Sequence, residues 1–217
     1  MKRAIDLSDA VALIPDGAVL HVGGFMGVGS PHRLLAALAE SGRTGLTVIA
    51  NDTAKPGVGI GLLVSARAVA KVITSHIGLN PETQAQMIAG DLEVELVPQG
   101  TLVERIRCAG VGLGGALTQT GIGTEVEDGK PVVEIDGQRW LLEKPLHADF
   151  ALIGARHCDY VGNLDYTLTA HNFNPIMALS ATTVIAEPDE IVPVGVIPPD
   201  AVKTPGVLVN HVVRRAS

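Results

Sequence analysis

The sequence predicts an α/β fold: an open, mainly parallel sheet with helices on both faces and a small antiparallel hairpin excursion. Three observations carry this. Short β-branched runs alternate with helix-like segments along the first half of the chain, the pattern of strands joined by crossover helices. Helix starts are marked by residues suited to capping free backbone N–H groups. Two Asp-Gly pairs then break the rhythm, placing the antiparallel excursion at about residues 124–143.

In chain order, AVLHV (18–22) is the first strand, followed by a helix from Pro31 with Ser30 as its cap and Gly42 as its stop. LTVIA (46–50) is next, and AKPGVGIGLLVSARAVA (54–70) reads as its helix. KVITS (71–75) leads to PETQAQMIA (81–89), opened by Asn80-Pro81 and stopped at Gly90. VELV (94–97) leads to LVERIRC (102–108), where Thr101 and Glu104 match a capping box, each satisfying a free backbone donor. Cys108 to Thr124 holds six glycines and reads as a loop. Asp128-Gly129 and Asp136-Gly137 are both two-residue hairpin signals. ADFALIGA (148–155), TTVIAEP (182–188) and GVLVNHVV (206–213) are further buried strands, with Asn174-Pro175 opening a helix between the first two. No flexible linker and no internal repeat divides the chain, so residues 1–217 are expected to form one unit.

At 217 residues and 47% hydrophobic content, the chain is long enough for one large core. Its 16 basic and 23 acidic residues give a net charge of -7 without a basic cluster, which argues against a nucleic-acid partner. Cys108 and Cys158 stand far apart with no CxxC or Cys/His spacing, so neither a disulfide framework nor a zinc site is indicated. A reduced, cytoplasmic setting fits. Asp6 and Asp9 interrupt the N-terminus before any apolar stretch long enough for export, so no signal peptide is expected. The longest uncharged segment is too rich in glycine and polar residues for a membrane helix.

The carboxyl ends of the first four strands carry the functional interest, because ligands of open parallel sheets bind in the crevice beyond those ends. They end in Gly23-Gly24-Phe25, Asn51-Asp52-Thr53, Ser75-His76 and Pro98-Gln99-Gly100. The loop GGFMGVGSP is not a P-loop, since no Lys-Ser/Thr follows its glycines, and His32 stands where a dinucleotide fingerprint needs its last glycine. Two readings of its four glycines stay open. One is a tight turn needing positive φ; the other is a bare backbone approaching a ligand, with the following helix start offered to an anion. Gln99 is either a solvated loop glutamine or an amide donor to a developing oxyanion. His76 is either a packed strand-end histidine or an acid–base group. The remaining histidines, 21, 32, 147, 157, 171 and 211, lack metal-ligand spacing, and no GxSxG elbow occurs. Asp52, Glu95 and Glu143 lie near strand ends or the hairpins, yet no motif singles out any of them as a nucleophile.

PDGAVLHVGGFMGVGSP, residues 15–31, resembles the alpha-subunit signature of family I CoA-transferases: Asp-Gly, an apolar strand, Gly-Gly-Phe and then Gly-x-Pro. The resemblance continues through IANDT, SHIG, LVPQGTLVERIRCAGVGLGG, TGIGTEVEDGK, WLLEKPLHADFALI and AHNFNP, nearly the whole chain, and is to the acetate/acetoacetyl-CoA type. It implies a CoA-transferase half, active only with a beta subunit, in an α2β2 assembly. A glutamate on that beta subunit attacks the acyl-CoA thioester, and the resulting glutamyl-CoA thioester passes CoA to a second, short-chain carboxylic acid. The beta-type Ser-Glu-Asn-Gly motif is missing from this sequence. CoA is then a substrate, with no tightly bound cofactor and no metal implied.

Residue by residue, the resemblance assigns Gly23, Gly24, Phe25, Met26, Gly27, Val28 and Gly29 to the segment that meets CoA, Gln99 to oxyanion support, and Asn51 to the same rim. Asp52 stands where some relatives have asparagine, and His76 where some have tyrosine. Residues 109–123 are implied to shape the acyl pocket or a subunit contact. Two rivals remain: a sugar-phosphate isomerase on a related sheet, which needs a cluster of cationic phosphate ligands, and a non-enzymatic acyl-CoA sensor.

Overall fold

The computed structural model describes residue 2 and residues 4–214. The main strands are β1 (Ala4–Ile5), β2 (Val19–Val22), β3 (Leu46–Asp52), β4 (Val69–His76) and β5 (Glu93–Leu96), separated by α1 (Leu7–Ala12), α2 (His32–Glu40), α3 (Ile60–Ser65) and α4 (Pro81–Ala89). After α5 (Gln99–Val111) come the short strands β6 (Ala116–Thr118), β7 (Val132–Ile135) and β8 (Gln138–Glu143). The chain then adds β9 (Ala148–Asp159), β10 (Leu164–Asp165), α6 (Asn174–Ser180), β11 (Ala181–Val192) and β12 (His211–Val213).

Eight strands lie in the order β1-β12-β11-β9-β2-β3-β4-β5, every neighbouring pair parallel, and β10 runs antiparallel beside β9. The period of two along each strand sends alternate side chains to opposite faces. Val48, Ala50, Val72, Leu152 and Ile185 meet Leu34, Leu35 and Leu38 of α2 and Leu63 of α3 on one face. Ile49, Ile73, Ile153, Val184 and Ala186 meet Leu102 and Ile106 of α5 and Met177 of α6 on the other. Each fully buried aliphatic side chain stabilises the fold by about 1.5–3 kcal/mol relative to exposure.

His21 departs from this apolar packing. It lies in β2 between Leu20 and Val22, fully buried, with Nδ1 3.0 Å from Ser180 Oγ at the end of α6. Burial pushes its pKa down to about 4 from an ordinary 6.5. Between those values the unfolded chain binds a proton that the folded chain refuses, so stability falls as pH drops through this window. The loss should reach about 3 kcal/mol. Unfolding measured from about pH 7 down to pH 4 should show this slope, and His21→Gln should flatten it; an unchanged slope in the variant would place the effect elsewhere.

Several expectations are met in detail. Asn80 caps α4, its side chain accepting from Glu82 N–H and Thr83 N–H, and Gly90 ends that helix in the left-handed region. Asp136 and Gly137, at φ 50° and 73°, make the two-residue turn between β7 and β8. Others are corrected. The helix expected over 54–70 shrinks to α3, because two positive-φ glycines, Gly57 and Gly59, precede it and β4 has already begun at Val69. The capping box does not form: α5 starts at Gln99, so Thr101 lies inside the first turn and Glu104 pairs instead with Arg107. The stretch 108–124 is not all loop, since α5 continues to Val111 and Ala116–Thr118 pairs with β8. The antiparallel excursion therefore begins earlier, as a three-stranded sheet in the order β6-β8-β7. Asp128-Gly129 turns the chain after a 3-10 turn (Glu125–Glu127) and joins no pair of strands. Only His211–Val213 of the last expected strand is extended, because Gly206–Leu208 forms a 3-10 turn. Among the described residues, no helix is long and apolar enough to cross a membrane.

Candidate active site

β2 is where the strand order reverses: the chain moves outward through β3, β4 and β5, then returns to place β9 on the other flank of β2. A reversal of this kind opens a crevice beyond the carboxyl ends of the strands. The loop 23–29 lies at it, beside the ends of β3 and β4 and the start of α5.

Two glycines show what shapes this loop. A Cβ on Gly23 would stand 1.7 Å from Asn174 Oδ1, and one on Gly29, at φ +77°, would stand 2.3 Å from Ala170 Cβ. The open sides of these residues face the chain's own α6 and the turn before it. Met26 and Val28, each 42% exposed, are the side chains that the loop offers outward.

The start of α2 is not free for an anion, which removes that part of the ligand-binding reading of the loop. The carboxylate of Glu187, in β11, accepts from Arg33 N–H at 3.1 Å and Leu34 N–H at 2.6 Å. A fixed negative charge thus already satisfies two of the helix's free donors and complements its dipole. Ser30 is consequently released from capping, and its hydroxyl donates to the Gly23 carbonyl at 3.0 Å.

Beyond β3 the predicted rim residues come together. Gln99 Nε2 donates to Asn51 Oδ1 at 2.5 Å, and Asn51 Nδ2 donates to Asp52 Oδ2 at 2.7 Å. The Asp52 carboxylate also accepts from Met26 N–H and Ala54 N–H, each at 2.8 Å. Ser75 Oγ donates to the Asn51 carbonyl at 2.6 Å. A groove of about 390 Å³ opens here, lined by Phe25, Met26, Asn51, Asp52, His76 and Gln99 among others. Gly27, Val28 and Gly29 line a second groove of about 420 Å³ with His32, Arg156 and Asp189, and Met26 stands in both. The predicted site residues from Phe25 onward therefore divide between two grooves with one methionine on the shared wall, whereas Gly23 and Gly24 are buried and line neither.

None of the three carboxylates considered as nucleophiles is uncommitted. Asp52 is filled as just described. Burial acts to raise the Glu95 carboxyl, but the hydrogen bond and charge of Arg105, helped by Lys71, outweigh it and hold the group below its ordinary range. Glu143, 1% exposed, is held by Lys130 at 2.6 Å and lies 3.8 Å from Arg105 Nε. Among the described residues no group of three or more His, Cys, Asp or Glu side chains is placed to hold a metal. Two structural supports went unread in the sequence. Asn174 holds the Gly29 carbonyl at 3.0 Å and accepts from Gly154 N–H at 3.2 Å; its only visible signal was the Asn-Pro pair, which marked a helix start. Glu187 left no signal, because it caps a helix more than 150 positions earlier in the chain.

The profile of a family described as Coenzyme A transferase matches residues 4–215. The chain belongs to this family. It is 54% identical, over 97% of its length and 96% of the relative's, to the acetate CoA-transferase subunit alpha of Escherichia coli K12. It is 48% identical to the acetoacetyl-CoA:acetate/butyrate CoA transferase alpha subunit of Clostridium acetobutylicum, over 98% of each chain. Among solved structures, the acyl-CoA transferase of Escherichia coli O157:H7, in a thioester complex with CoA, shares the fold at a TM-score of 0.86 and 24% identity. That alignment spans 98% of this family member and 47% of the longer chain. A variant of the decarboxylase AibA/AibB aligns at a TM-score of 0.82 and 29% identity, over 98% of this chain and 83% of that one. The expectation of a CoA-transferase alpha subunit is thereby borne out at the level of family and relatives, and neither the isomerase nor the sensor alternative gains support.

Proposed function

We propose that this chain is the alpha subunit of a CoA-transferase that moves CoA between a short-chain acyl-CoA or 3-oxoacyl-CoA and a carboxylic acid, in a cytoplasmic α2β2 assembly. One observation carries the reading: the rim presents paired neutral amides, Asn51 and Gln99, while its carboxylates are occupied by donors of their own chain. CoA, when bound, supplies the thioester. The carbonyl oxygen of a thioester under attack becomes anionic, and a preorganised amide N–H stabilises it without introducing a cation that would pair with an attacking carboxylate. Gln99 is that donor, and Asn51 orients it. The attacking carboxylate comes from the beta subunit, since a nucleophile must be uncommitted to react.

The loop 23–29 forms the wall along which CoA passes, with Met26 and Val28 as its outward side chains. His76, exposed at the end of β4, completes the groove near the acyl end. Among the described residues, that groove is lined by no lysine or arginine, which favours an uncharged short acyl chain over one with a distal carboxylate and disfavours a phosphate ligand.

The test is CoA transfer from acetoacetyl-CoA to acetate, assayed for this chain alone and after co-expression with a beta subunit. Activity confined to the pair is expected. Turnover by the single chain would return the nucleophile to this subunit, and saturable CoA binding without turnover in the pair would favour a sensor.

A further inference from the structure

Asp52 is 6% exposed, and its carboxylate is served by three N–H donors: Met26 N–H and Asn51 Nδ2 on one oxygen, Ala54 N–H on the other. An ionised carboxylate only accepts hydrogen bonds. The Asn51 atom that faces it must therefore be the amide nitrogen, which turns the Asn51 carbonyl oxygen toward Gln99. The Gln99 atom that meets this oxygen must in turn be its nitrogen. One carboxylate thus dictates the polarity of two amides in series, and among the described residues each amide nitrogen keeps one N–H without a partner.

The backbone on either side of the carboxylate is unusual as well. Met26 and Ala54 adopt φ of 50° and 52°, where side-chain-bearing residues are strained, and both donate their N–H to Asp52. Such conformations persist where the surroundings over-determine them, and charge-assisted hydrogen bonds to a buried carboxylate do so. Asp52 therefore fixes Met26, the residue on the wall between the two grooves, as well as the amide pair.

We propose that Asp52 is the positioning residue of this site: without touching the reacting atoms, it sets the amide orientation of Asn51 and Gln99 and anchors the tip of the loop 23–29. The proposal rests on the reading of Gln99 as donor to the reacting carbonyl. It assigns Asp52 no proton transfer, because both of its oxygens are taken.

The experiment is a double-mutant cycle in the enzyme assembled with its beta subunit, with kcat and KM measured for acetoacetyl-CoA and acetate. Asp52→Ala should lower kcat about 10²-fold through the amide pair, while release of Met26 at the CoA wall should appear separately, as a rise in KM for the acyl-CoA. Asp52→Asn can place its oxygen where Met26 N–H and Asn51 Nδ2 donate, losing only the Ala54 bond, and should recover about tenfold or more of that loss. In a Gln99→Ala background, Asp52→Ala should cost less than about threefold in kcat, because the donor it orients is gone. Equal kcat costs in both backgrounds would overturn the proposal and leave Asp52 a structural residue. Wild-type turnover in Gln99→Ala alone is a separate result; it would remove the reading of Gln99, and the proposal with it. Should Asp52→Ala fail to assemble, Asp52→Ser, which keeps a single weak acceptor, is carried through the same cycle under the same criteria.

Discussion

Gln99→Ala, in the enzyme assembled with its beta subunit, lowers turnover by about 10²–10³-fold and leaves the size of the assembly unchanged. The two halves of this expectation have separate grounds. Gln99 is exposed and opens α5 without capping it, the preceding Pro98 being the N-cap residue. Truncating it leaves no cavity in the core, whose α5 contribution comes from Leu102 and Ile106 one and two turns further on. Among the described residues, its one side-chain hydrogen bond goes to Asn51, at the rim. Stability should therefore change little, in keeping with exposed positions generally. The loss in rate arises because an amide already held by Asn51 needs no reorganisation as the carbonyl oxygen becomes anionic. Gln99→Glu sharpens the test: a carboxylate there would face the Asn51 oxygen and the developing charge together, so it should be at least as damaging as alanine. Steady-state rates and size-exclusion profiles of both variants decide the matter. Near-normal turnover in either would remove Gln99 from the site.

The parallel sheet was legible because its signal is local. Valine- and isoleucine-rich runs mark strands, and turn or capping residues mark helix starts, wherever a segment's own neighbours decide its conformation. Asn80 before Pro81 and Asp136 before Gly137 are such cases, and both behave as expected. The rim was legible for the same reason: strand ends locate it, and Asn51, His76 and Gln99 do meet at one groove. Features that depend on distant partners were not legible. Ser30 looked like the cap of α2, yet Glu187 takes that place across the sheet. Gly206 to Val213 had the composition of a buried strand, but a side chain at Gly206 would come 2.3 Å from the Val161 carbonyl, and the chain there turns before it can extend. The four glycines of the loop were visible, while the reason for two of them, the positions of Asn174 and Ala170, lay about 150 residues further along the chain.

That last point yields the largest expected effect on stability. Gly29→Ala should destabilise the protein by about 2–5 kcal/mol, from two additive costs. The residue sits at φ +77°, where a side chain costs about 1–2 kcal/mol. Its new Cβ would also lie 2.3 Å from Ala170 Cβ and 2.6 Å from Ala170 Cα, and forcing an extra methyl into a packed site costs about 1–3 kcal/mol. The obstructing atoms leave little room for relief, since one belongs to the backbone and the other to a side chain with no rotamer. Moving the loop outward instead would break the bond from Asn174 to the Gly29 carbonyl and disturb the contact where Gly154 of β9 lies against that same carbonyl. Gly17→Ala supplies the comparison: it has nearly the same φ, +73°, and nothing within 4 Å of its Cβ, so only the backbone cost of about 1–2 kcal/mol applies. Denaturant unfolding of the two variants separates the packing cost from the conformational one. A larger loss for Gly29 would show that the turn at Ala170, just before α6, holds the loop rigidly against the sheet, the condition under which Asp52 can pin Met26 from the opposite side. Equal losses would mean that the loop yields to the methyl, and a loop free to yield could not serve as a fixed wall between the two grooves.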